Sequence, residues 1–398
     1  MKPSKANPTK RRRWPRIIGA ILTVFILGIS IIMIDIWSAL GTRPEGARLE
    51  RLQQSPQYVD GRFVNRLPPQ EPDLWPIMKR WIFENNPLRE PSEPLPVMRR
   101  VAQEFAQPSS DLRITWFGHS SVLAEIDGQR ILIDPMWGDY ASPGRIFGPK
   151  RFFAPPIPLN DLPEIDAVIL SHDHYDHLDE PTIKALRERV PLFVVPLGLG
   201  AHLEYWGVAP ERIIELDWWE RTSVGGVELV ATPARHFSGR SINDRDATLW
   251  AGWAILGQTR RVFFSGDSGM FPGFAEIGAR LGPFDVTMME TGAYNADWPD
   301  VHMGPEQAVE AHRMVRGVLM LPIHWGTFNL AFHGWTEPVE RLLVAAERVG
   351  VQVAIPRPGE SISPASPPGV ERWWPTQPWQ TAEAAPVVST GLEAAVID

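Results

Sequence analysis

Between positions 172 and 177 the chain reads His172-Asp173-His174-Tyr175-Asp176-His177, which gathers three imidazoles and the Asp176 carboxylate into one short stretch. It follows the apolar run Ala167-Val168-Ile169-Leu170, read as a short buried strand that ends in a loop. Unligated, so many polar groups behind a buried strand would be costly to dehydrate, so the stretch predicts metal binding rather than a solvated turn. Three further residues follow apolar runs in the same way: His236 after Val227 to Ala231, Asp267 after Arg261 to Phe264, and His324 after Val318 to Pro322. Five histidines and two aspartates can build two adjacent sites, with His172, His174 and His236 on one ion, Asp176, His177 and His324 on the other, and Asp267 bridging. The chain has no cysteine, and this donor set suits zinc, with iron and manganese as alternatives. Two ions about 3.5–4 Å apart can share a water, bring its pKa towards neutrality and turn it on an ester. Asp176 and Asp267 would hold that water.

Other residues could support such a centre. Asp134, at the end of Leu132-Ile133-Asp134-Pro135, is placed to accept a hydrogen bond from a ligand histidine. His119 either orients the site or satisfies backbone groups. His302 and Tyr175 are candidate contacts to a phosphate or leaving group, with His302 also a catalytic candidate. Lys150 and Arg151 could neutralise a phosphate, although a basic loop pair is more often simply solvated. His202, His312 and His333 are assigned to surface or core packing.

These side chains need a scaffold. Segments Arg113 to Phe117, Ser121 to Ile126 and Arg130 to Ile133 read as strands, with Asp127-Gly128 as a hairpin turn. Further strands are expected at Phe193 to Val195, Val227 to Ala231, Thr248 to Leu256, Arg261 to Phe264, Val286 to Met289 and Val318 to Pro322. Helices are expected at Pro181 to Arg189, Leu199 to Trp206, Gly304 to Arg316 and Thr336 to Val349. The last has Thr336 as its N-cap and Gly350 as its stop. This alternation defines an α/β body over 111–360. A Pro-rich segment over 41–110 wraps it, and a Pro- and Trp-rich tail over 361–398 is extended or docked on the body.

All charged residues among the first 16 are basic, whereas the whole chain carries a formal net charge of −8. The rest is therefore acidic and should repel nucleic acid. Between these regions, Ile17 to Ile34 holds no charge and is about long enough to span a bilayer as a helix. Residues 1–40 thus read as a basic cytoplasmic tail and membrane anchor. The Lys10-Arg11-Arg12-Arg13 cluster would stay inside, sending the body to the other face, the periplasm of a bacterial cell's inner membrane. A cleaved signal peptide is the rival reading, since Ser38-Ala39-Leu40-Gly41 weakly resembles a cleavage site.

The His-x-His-x-Asp-His signature with its later His, Asp and His resembles the metallo-β-lactamase superfamily. Longer motifs narrow the likeness: Asp60-Gly61-Arg62-Phe63-Val64-Asn65, Thr115-Trp116-Phe117-Gly118-His119, Gly148-Pro149-Lys150-Arg151-Phe152, Ser171 to Asp179, Glu215 to Glu220, Gly282-Pro283-Phe284-Asp285 and Ile323 to Phe328. Together they resemble the N-acylphosphatidylethanolamine-hydrolysing phospholipase D family over about residues 60 to 360. The resemblance implies an αββα sandwich, two zinc ions, and a homodimer facing the bilayer. The implied reaction cleaves a membrane phospholipid's phosphodiester, giving N-acylethanolamine and phosphatidic acid. The anchor and the tail depart from the family, as does Val301 before His302. A lactonase or β-lactamase of the same fold is the alternative enzyme, and a membrane-anchored metal-binding scaffold is the non-enzymatic one.

Overall fold

The computed structural model describes residues 13–144 and 147–392. Most of the basic cluster, Lys10-Arg11-Arg12, lies outside the described residues, as does the end of the tail. Arg13–Trp37 is one continuous helix. Its Trp14–Met33 stretch, 20 residues with mean hydropathy 2.4 and none buried against the body, is long and apolar enough to cross a membrane.

Two seven-stranded sheets form the body. The first runs, edge to edge, Ser361–Ile362, Arg113–Gly118, Ser121–Ile126, Gln129–Ile133, Ala167–Ile169, Phe193–Pro196 and Ile213–Leu216. The second runs Gln352–Val353, Gly317–Ile323, Phe284–Glu290, Arg261–Phe264, Gly252–Leu256, Val227–Thr232 and Arg221–Val224. Ser361–Ile362 pairs with Arg113–Gly118, so the body extends two residues beyond the expected boundary at 360.

The strands read as continuous apolar runs because both of their faces are covered. In Ser121–Ile126, Val122, Ala124 and Ile126 join the core cluster shared with the second sheet, while Leu123 faces the helical side. Ile131 and Ile133 divide from Leu132 in the same way, and Ala167 and Ile169 from Val168. Helices Glu180–Leu186 and Gly200–Tyr205 cover the outer face of the first sheet through Ile183, Leu186 and Leu203. Gly273–Leu281, Pro305–Met314 and Glu337–Val349 pack on the second. The architecture is the helix–sheet–sheet–helix sandwich expected from the sequence.

Several local expectations shift. Only Gly252–Leu256 of the expected Thr248 to Leu256 strand pairs in the sheet. Upstream, Leu249 N–H bonds Leu197 O and Ala251 N–H bonds Ser171 O, so that backbone crosses to the loops of the first sheet. Thr336 sits at its helix start, but its hydroxyl makes no capping bond. Gly350 closes that helix at φ 70°, as a left-handed stop requires. The tail docks, with Trp373 and Trp374 at 5.3 and 5.6 Å from the Trp325 ring.

Candidate metal centre

Most groups at the centre lie on loops that leave the C-terminal ends of strands, with His236 and His302 further along theirs. Three of these positions hold left-handed backbones without glycine: His119 at φ 51°, Asp134 at 39° and His324 at 63°. Such conformations cost about 1–3 kcal/mol each and persist where the surroundings fix them. The two sheets meet here, since His324 N–H bonds His119 O at 3.1 Å.

The structure brings the seven expected ligands together in two clusters. In the first, His172 Nε2 and His174 Nδ1 are 2.9 Å apart, and His236 Nε2 is 3.2 Å from His174 Nδ1. Asp267 Oδ2 closes the group at 3.8 Å from both His172 and His236. In the second, Asp176 Oδ2 lies 3.2 Å from His324 Nε2 and 3.4 Å from His177 Nε2. The same Asp267 oxygen is 3.1 Å from each of those histidines, so it belongs to both clusters. Four donors about 2.0–2.1 Å from a zinc ion would stand about 3.3–3.4 Å apart at tetrahedral angles. The observed spacings bracket that value. His177 Nε2 and Asp267 Oδ1 are buried with no hydrogen-bond partner, which a bound cation would resolve. The donor set therefore fits two cations.

Groups behind the donors fix their direction. Asp134 accepts from Ser171 N–H at 2.7 Å and stands 2.7 Å from His177 Nδ1. His236 Nδ1 donates to Val301 O at 2.8 Å, and His172 Nδ1 lies 2.9 Å from Ser171 Oγ. His119 stands among the donors rather than behind them: its Nε2 is 2.8 Å from Asp176 Oδ2, in one cluster with His177 and His324.

Electrostatics separate the two clusters. Burial and neighbouring imidazoles hold His172 and His236 well below the ordinary histidine pKa, leaving neutral rings with free lone pairs. Burial also opposes charge on His324, but Asp267 and Asp176 outweigh it and push the ring up to about 10. His177 is raised by the same two carboxylates.

One important residue is absent from the sequence reading. Glu290, the fully buried last residue of Phe284–Glu290, is hydrogen-bonded to His302 Nδ1 and accepts from Ser268 N–H at 2.6 Å. Burial and Asp267 raise its pKa well above the carboxylate range, while burial lowers His302 to about 4. Its sequence signal was an acid ending an apolar strand, as at the other ligand positions.

A cavity of about 450 Å³ opens over the centre, with Asp176, Asp267 and His324 at its floor and His302, Leu74, Ile77, Phe237, Trp298 and Leu330 among its walls. Arg245 lines it with its guanidinium 4.8 Å from the Phe237 ring. Three expected substrate contacts lie elsewhere. Tyr175 donates to Arg240 O and borders a separate cavity of about 210 Å³. Arg151 is buried, with its donors committed to the carbonyls of Gly138, Phe153 and Met136. Lys150 is exposed and lines neither cavity.

Comparison with known proteins agrees with this geometry. Residues 129–325 match the beta-lactamase superfamily domain. An uncharacterized protein of Mycobacterium tuberculosis is 47% identical over 81% of this chain and 88% of its own length. N-acyl-phosphatidylethanolamine-hydrolyzing phospholipase D 1 of Caenorhabditis elegans is 37% identical over 62% of this chain and 73% of its own. Among solved structures, an isothiocyanate hydrolase from Delia radicum gut bacteria superposes with a TM-score of 0.50 at 20% identity, covering 63% of this chain and 98% of that one. That likeness speaks for the fold. The chain belongs to the metallo-β-lactamase superfamily of metal-dependent hydrolases, and within it resembles the N-acylphosphatidylethanolamine-hydrolysing phospholipases D.

Proposed function

We propose that this chain is a membrane-tethered, two-zinc phosphodiesterase that hydrolyses N-acylphosphatidylethanolamine to N-acylethanolamine and phosphatidic acid. The observation that carries the reading is the shared Asp267 oxygen at the floor of an apolar-walled cavity. When bound, a pair of zinc ions supplies Lewis acidity and lowers the pKa of water towards neutrality. The protein's part is to bind and orient. Phe237, Trp298 and Leu330 offer apolar surface to acyl chains, and Arg245 offers a cation to the phosphate. His302, held through Nδ1 by Glu290, faces the reacting group from the cavity wall.

Two features support a lipid substrate delivered from a bilayer. Helix Leu74–Phe83 has no buried residue and exposes Trp75, Ile82 and Phe83, while Leu74 and Ile77 line the cavity. Such an amphipathic, aromatic-rich surface suits a membrane interface. The apolar N-terminal helix supplies the tether, and its basic flank favours a periplasmic body on the inner membrane. The bilayer is then partner as well as substrate source, and a homodimer would present two such cavities to it.

The test is turnover of a fluorogenic N-acylphosphatidylethanolamine by the zinc-loaded full chain in proteoliposomes, beside nitrocefin and a lactone. Asp267→Asn, which alters the shared oxygen donor, and His324→Ala, which removes a donor of the second cluster, should each lower turnover by at least about a hundredfold, with the circular dichroism spectrum unchanged. Retained turnover in either variant would refute this centre, and hydrolysis of nitrocefin or the lactone alone would refute the substrate.

A further inference from the structure

Ser389 and Thr390 of the tail are fastened to the loop that carries His302. Thr390 donates its backbone N–H to Asp300 Oδ1 at 2.7 Å and its hydroxyl to Oδ2 at 2.5 Å. Ser389, itself buried, donates to Pro299 O at 2.8 Å and accepts from Gln307 Nε2 at 3.0 Å. Asp300 is fully buried and also holds Arg235 at 2.9 Å and the Gln70 N–H at 2.8 Å. Arg235 spends its other donors on the carbonyls of Leu67, Pro68 and Met270.

A carboxylate has about four acceptor positions, and Asp300 fills them with donors from three separate parts of the chain. Two of the four come from one tail residue. The next residues along the loop are functional. Val301 O receives the His236 Nδ1 hydrogen that aims Nε2 at the first cluster, and His302 enters the cavity wall. Loop, histidine direction and tail are therefore joined within a few bonds.

We propose that Ser389 and Thr390 are positioning residues. The tail is a strap that fixes the Pro299 to His302 loop and, through it, the ring of His236 and the place of His302. Its effect on turnover rests on the hydrolase reading above; its hold on the loop does not.

Thr390→Val in the full chain removes the hydroxyl with little change of shape, and Thr390→Ser returns it. Amide hydrogen exchange across residues 300–303 should rise about tenfold in Thr390→Val, as for a segment released to open locally, and return to the parental rate in Thr390→Ser. On the fluorogenic lipid phosphodiester, kcat should fall about tenfold with KM nearly constant, the pattern of a group misplaced for the transition state, and Thr390→Ser should recover it. Unchanged exchange in Thr390→Val would overturn the strap. Faster exchange with unaltered kcat would overturn its service to the site. A parent chain inert on the diester would remove the hydrolase reading, while the exchange comparison would still decide whether the tail holds the loop.

Discussion

The direction of each inner histidine is set by the atom behind it. His236 gives its Nδ1 hydrogen to Val301 O and His177 is held by Asp134, so Nε2 of each ring faces the centre. In the metal-free chain the clusters differ in protonation. His172 and His236 are neutral, but Asp267 and Asp176 raise His177 and hold His324 at about 10. At neutral pH a cation entering the second cluster must displace the protons held there. Metal titration in weak buffer at pH 7 should therefore release about one proton or more per chain. Because the folded pKa of His324 lies above neutrality, uptake should strengthen as pH rises from 6 to 9. Calorimetry in buffers of different ionisation enthalpy measures this, and uptake without proton release would be inconsistent with these ligands. The candidate ligands are legible in the sequence because their types and strand-end positions coincide. Arg151 reads in sequence as a phosphate contact because the carbonyls of Gly138, Phe153 and Met136 that occupy its donors are visible only in the folded chain. Glu290 shares the strand-end position of the others but is not picked out by sequence, because its histidine partner, His302, lies twelve residues further on.

Inner strands were legible, whereas the edge strands Ile213–Leu216, Arg221–Val224, Gln352–Val353 and Ser361–Ile362 carry no continuous apolar run. A strand covered on both faces leaves an uninterrupted apolar run, as in Ser121–Ile126, and the run itself marks where a ligand can follow. Gly273–Leu281 left no such mark, since two glycines interrupt its pattern. Gly278 is needed there: an added Cβ would come within 2.2 Å of Met314 O, where the helix meets the end of Pro305–Met314. That second helix is tied to the sheet by buried His312, whose Nδ1 lies 2.7 Å from Thr287 Oγ1. Burial lowers its pKa to about 4. Since the folded value lies below the unfolded one, the neutral ring contributes stability above about pH 6.5 that is lost as pH falls towards 4, roughly 3 kcal/mol in all. His312→Gln should remove that share of the acid sensitivity. Comparing denaturant midpoints of the two proteins from pH 7 to 4 checks it, and parallel curves would contradict a neutral buried ring.

The segment after the N-terminal helix and the tail both converge on the loops around the centre. The tail reaches Asp300, and the exit of the N-terminal helix reaches the His172 to Leu178 loop. Arg240, almost fully buried, donates from Nε to Ala39 O at 2.8 Å and from one terminal nitrogen to Asp173 O at 2.6 Å and Leu178 O at 2.9 Å. His202 accepts from Thr42 N–H at 3.1 Å and lies 3.5 Å from Asp173, while Trp206 donates to Ser38 O at 2.7 Å. Composition could mark this segment as the end of an apolar helix, but its docking depends on a guanidinium two hundred residues away. The consequence is a joint in which the exit of the apolar N-terminal helix and the His172 to Leu178 loop share one guanidinium. Arg240→Lys keeps the charge and loses the fork, which should cost about 2–4 kcal/mol through carbonyls left unpaired in a buried site. The freed exit should then become a cleavage point. In proteoliposomes, limited proteolysis should cut Arg240→Lys between residues 38 and 44 and release the body from the membrane, whereas the parent chain should resist. Equal cleavage of both would mean that the exit segment is already loose and that the centre does not share its footing with the anchor.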